Sequence, residues 1–110
     1  MKLRLSPGGT VTQATSKSTA VTINNCAGQI TMNNAALASS TSVGFTVNNS
    51  YVAAGDFVDV CISGGATAVS YVVGADSITA GAFTIHLRNI SGGSLGEAVV
   101  ITFTVTKIAY

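Results

Sequence analysis

A chain of 110 residues suits one domain, which at this size buries roughly two-thirds of its unfolded surface and has no room for a second core. Charged residues make up only 8% of it, three Lys, two Arg, three Asp and one Glu, against about a quarter in ordinary globular domains. A net charge of +1 with no basic cluster excludes nucleic acid as a partner, and no apolar run approaches the roughly 18 residues needed to span a membrane.

Solubility falls instead to 33 Ser, Thr and Asn residues, and 26 Val, Ile and Leu against seven aromatics imply a core of branched aliphatics. Such side chains pack well on pleated strands. The start, "MKLRLSPGG", reads as an exposed arm over residues 1–8, basic but without the apolar stretch of a secretory signal. Residues 9–110 form the single domain. "TVTQA" at 10–14, "AVTIN" at 20–24 and "GQITM" at 28–32 are short strands, and "NNAALASSTS" at 33–42 is a Ser-rich loop rather than a helix. In "VGFTVNN", Val43, Phe45 and Val47 point one way. "SYVAAGD" is a tight corner between sheets, with Gly55 free to take a positive φ.

Strands follow at "FVDVCIS", 57–63, and "TAVSYVVGA", 67–75. "FTIHLRN" turns Phe83, Ile85 and Leu87 inward and Thr84, His86 and Arg88 outward. "VVITFTVTK" does the same with Val99, Ile101, Phe103 and Val105 facing in. Asn pairs and Gly-containing turns separate these runs. With period two almost throughout and no stretch of a dozen residues at period 3.6, the expected fold is all-β: an antiparallel β-sandwich of about eight short strands, jelly-roll-like.

Little in the chain carries chemistry, and no catalytic, cofactor-binding or metal residue is assigned. His86 is the sole histidine and is expected outside, solvated or in an interface. Asp56 and Asp59 fall on opposite faces of an extended chain, which separates them as an acid/base pair. Asp56 reads as a turn residue and Asp59 as a solvent or interface residue, while Asp76 and Glu97 are single carboxylates beside turns. "SGGATA" and "SGGSLGE" lack the Lys-Ser/Thr ending of a phosphate loop, so they read as hairpin turns. Tyr51, Tyr71 and Tyr110 are scattered possible contact residues, a weak signal for a glycan site. Cys26 and Cys61 read as small buried or half-buried thiols rather than a disulfide, with Cys26 in a turn. The acceptor patterns at Asn48 and Asn89 read as incidental.

"GGTVTQATSKSTAVTINNCAGQITMNNAAL", then "AAGD", then "ITAGAFTIHLRNISGGSLGEAVVITFTVTK" resembles a family of small tailed-phage and prophage virion domains. The Gly-Gly-Thr-Val-Thr-Gln start, the Gly-Gln-Ile-Thr-Met strand and the Arg-Asn-x-Ser-x-Gly-Ser-Leu-x-Glu-Ala stretch come in that family's order, over residues 8–107. The resemblance implies a non-enzymatic virion structural protein without cofactors, made in the host bacterial cytoplasm. Capsid decoration (a cement or head-fibre protein) is the first expectation. The alternative is a receptor-binding knob of a tail fibre or spike that recognises host glycan or protein. The implied partners are capsid or tail proteins and the chain itself, as a homo-oligomer with a trimer favoured over a dimer.

Overall fold

The computed structural model describes residues 8–107, and among them the period-two runs become eight strands with no helix. They are β1 (Gly8–Thr12), β2 (Val21–Thr22), β3 (Ala27–Thr31), β4 (Thr41–Asn48), β5 (Phe57–Gly64), β6 (Tyr71–Thr79), β7 (Ala82–Asn89) and β8 (Val100–Thr106). The arm expected over 1–8 lies outside the described residues except for Gly8, which opens β1, and so does Tyr110. Two four-stranded sheets form, ordered β1-β3-β8-β5 and β2-β4-β7-β6.

Alternation fills the space between the sheets. Ile30, Ile101, Phe103 and Val105 come from the first sheet, and Val21, Phe45, Val47, Phe83, Ile85 and Leu87 from the second. Phe83 and Phe103 meet across the gap with ring centroids 5.7 Å apart and planes tilted by 54°, an arrangement aromatic pairs prefer to face-to-face stacking. Fully burying each such side chain contributes about 2–3 kcal/mol. Loop residues Met32, Leu37, Val52 and Val99 close the ends of this core.

The all-β sandwich is the expected one, but its sheets are mixed rather than wholly antiparallel. β1 runs parallel to β3, and β2 parallel to β4, whereas jelly-roll neighbours are antiparallel. The cause is the path of the chain. After β1 the chain crosses to the second sheet for β2, returns to the first for β3, and crosses again for β4. Each circuit re-enters a sheet in its earlier direction, and the long connection that a parallel pair needs is the circuit itself. Period two fixes which side chains face inward and carries no information about strand direction.

Three buried amides hold the loops, each meeting the hydrogen-bonding needs of backbone groups that would otherwise be stranded. The amide group of Gln13 donates to the carbonyls of Lys17 and Thr19, both at 2.9 Å, and its oxygen accepts the Asn33 N–H at 3.0 Å. Asn49 donates to the Ile23 and Asn25 carbonyls and accepts the N–H groups of Tyr51 and Val52. Asn89 donates to Leu37 and Gly93 and accepts from Ser91. Asn89 is fully buried, its amide group already engaged in these bonds.

Candidate functional site

The two edges of the sandwich differ. At one, β1 lies over β2; at the other, β5 lies over β6. The inward residues of β5, Val58, Val60 and Ile62, are only half-buried, and so are Tyr71, Val73 and Ala75 of β6. Their counterparts on the central strands β7 and β8 are fully buried. At the β5/β6 edge the two strands approach each other closely, yet their inward aliphatic side chains stay partly open to water.

The connection from β5 to β6 forms one end of this edge. Gly65 takes φ +68°, where a side chain would drive its Cβ to within 2.1 Å of the Ala98 carbonyl oxygen, so only glycine fits. Four residues on, Val69 has φ +63° and is 94% exposed. A β-branched residue in the left-handed region is strained by about 1–3 kcal/mol, and here no burial offsets it. Val69 borders a shallow pocket of about 260 Å³ whose walls include Ile62, Ala66, Thr67 and Tyr71. Phe57 and Val72 are also more than half exposed, at 53% and 55%, so three of the five exposed large apolar side chains among the described residues sit on β5, β6 or the link between them.

Glu97 latches this region. Its carboxylate accepts the Thr67 N–H at 3.0 Å, the Thr67 hydroxyl at 2.8 Å and the Tyr71 hydroxyl at 2.7 Å. The Thr67 N–H above all, then the two hydroxyls, hold its carboxyl below the usual carboxylate range. Burial, with help from the same carboxylate, pushes the Tyr71 hydroxyl far above its ordinary value. Tyr71 is thus committed to a structural bond, and Tyr51, 52% exposed, is the described tyrosine left open to a partner.

Behind the latch, the Lys17 ammonium donates to the carbonyls of Asn33 and Glu97. Only 4% of Lys17 is exposed, and burial lowers its pKa while the Glu97 charge partly offsets that. Nothing in the sequence marks this lysine, which sits in a polar Ser/Thr run like any solvated residue; its buried role depends on contacts far along the chain.

His86 faces outward as expected, its ring lying across Gly44 and its Nε2 3.1 Å from Asp76 Oδ1. The pair lies on the outer face of a sheet. Asp56 is the expected turn residue, accepting the Ala53 N–H and the Lys107 ammonium, and the Lys107 bond holds its carboxyl low. Asp59 stands exposed on β5, apart from it. The structure therefore gathers Glu97 and Tyr71 and leaves His86, Asp56 and Asp59 separate. Both cysteines are free, Cys26 half-buried in the turn before β3. Cys61 corrects an expectation: it is exposed, because Val58, Val60 and Ile62 take the inward positions of β5. Among the described residues no three His, Cys, Asp or Glu are placed to hold a metal.

No family model, curated protein or solved structure matches the chain.

Proposed function

We propose that the chain is a non-enzymatic structural protein of a tailed-phage virion, a capsid decoration that associates with itself and with shell subunits. One observation carries the reading: much of the little charge that the described residues hold is engaged within the domain, with Asp59 and Arg88 left exposed. Lys17 is buried, Lys107 is paired with Asp56, and Glu97 is bonded to Thr67 and Tyr71. Facing outward from β8 are Thr104 and Thr106, with Val100 and Thr102 half-exposed, and from β4 Ser42, Gly44, Thr46 and Asn48. Short hydroxyl side chains cost little desolvation and little rotamer entropy when covered by another protein, whereas Lys and Glu cost more. So low a charge also favours association over a dispersed monomer.

The test is binding of the purified chain to expanded, empty phage heads. Saturation at a stoichiometry set by lattice symmetry is expected, with no effect of excess free protein on adsorption of the phage to its host. Absence of binding at both low and high salt, or competition for adsorption, would overturn the reading, the second in favour of a receptor-binding knob.

A further inference from the structure

We propose that the β5/β6 edge is a homotypic docking surface, on which a second copy of the chain adds its own β5 antiparallel about a two-fold axis at Val60 or Cys61. The backbone is the first argument. The Val105 N–H donates to the Cys26 carbonyl, and the Met32 N–H donates to the Val99 carbonyl, so the odd-numbered residues of β8 turn their polar groups toward β3. Its even-numbered residues face β5 and pair with Phe57, Asp59 and Cys61. By alternation the N–H and C=O groups of Val58, Val60 and Ile62 point to the free edge. The inward side chains of the same three residues are only half-buried, so one added strand would satisfy the backbone and cover these aliphatic side chains together.

Charge selects the partner. Edge strands that avoid pairing carry Lys, Pro, several charges or a mid-strand bulge; β5 carries Asp59 alone as a charge, and its one register shift falls at the Ile62–Gly64 end, beyond the central Val58–Cys61 stretch. Self-pairing centred on Val60 sets Asp59 opposite Cys61, and centred on Cys61 it sets Asp59 opposite Ser63. Neither register opposes like charges, so a second copy fits without repulsion. Size agrees: an eight-residue strand is about 26 Å long. With roughly 20 Å across both sheets, two copies would bury about 1,000 Å² in total, the scale of a weak, reversible interface. A contact of a surface with itself closes at two copies, so this surface by itself builds a dimer, whereas the resemblance favours a trimer.

Sedimentation of the full chain tests this together with cross-linking in a Cys26→Ser background. A concentration-dependent dimer is expected, which a short bis-maleimide fixes through Cys61, and Val60→Lys should weaken it at least tenfold. If Val60→Lys fails to fold, the cross-link decides. A monomer at millimolar concentration, a trimeric mass, or a dimer in which Cys61 does not cross-link would overturn the proposal. Failure to bind phage heads would leave it standing, since the dimer is measured without them.

Discussion

The sandwich has one edge of short strands tied down by loops and one of long strands whose outer backbone is left free, the shut and the open edge, and they are held by different kinds of interaction. At the shut edge β1 and β2 are five and two residues long, too short to be secured by their ladders. Buried polar side chains do the fixing: Gln13 threads the loop back to Asn33, Asn49 fastens the turn at Ile23 to Asn25, and the Asn25 side chain lies across Gly9. At the open edge β5 and β6 are eight and nine residues long, with long ladders on their inner sides, each broken by one register shift, and an exposed carboxylate latch at one end. Short strands need satisfied side chains to stay in place, whereas long ones stay by their ladders and can leave an edge free for another use.

Gln13→Ala makes the largest test of that contrast. The substitution strands two carbonyls and one N–H at a residue only 2% exposed, and each unsatisfied buried group costs about 1–3 kcal/mol. Urea unfolding should show a loss of about 3 kcal/mol. Thr67→Ala at the open edge removes one exposed hydroxyl bond and should cost less than about 1 kcal/mol. Equal losses would break the distinction between the edges.

A change of opposite sign is expected at Val69. Asparagine tolerates the left-handed region far better than a β-branched residue, and with 94% of Val69 exposed there is almost no packing to lose. Val69→Asn should raise stability by about 1 kcal/mol in the same assay. A loss would mean that the valine packs on something and that the open edge is less open than its exposure implies.

The contrast between the edges was only partly legible in the sequence. Strands whose inward faces are fully apolar, such as β7 with Phe83, Ile85 and Leu87, announce themselves by alternation, and they are the buried centre of their sheet. Alternation alone cannot separate them from β5, whose Val58, Val60 and Ile62 follow the same rule yet lie at an edge, because edge or centre depends on partners distant in the chain. Residues 67–70 look like the start of a strand by composition. They form a turn instead, fixed by Gly65, Val69 and the bonds from Thr67 to Glu97, thirty residues away. Gln13 and Lys17 look like surface residues, since their burial comes from loops closing over them and not from any local pattern.

The smallest expected effect lies in the pH dependence of the open edge. The folded Glu97 carboxyl ionises below its ordinary value of 4.5, so its bonds contribute stability that is fully present above that pH. The contribution disappears as pH falls through the lowered value, because the unfolded chain then takes up the proton first. Asp56, held low by Lys107, titrates in the same acid range and would obscure Glu97 in the wild type alone. Glu97→Gln isolates it: the mutant should be the less stable protein at neutral pH, and the gap should close as pH drops from about 4.5. Because the latch is exposed to water, the gap should be much smaller than the Gln13→Ala loss. A gap that stays constant down to strongly acid pH would show that Glu97 acts there by packing rather than charge, and the open edge would then be held in the same way as the shut one.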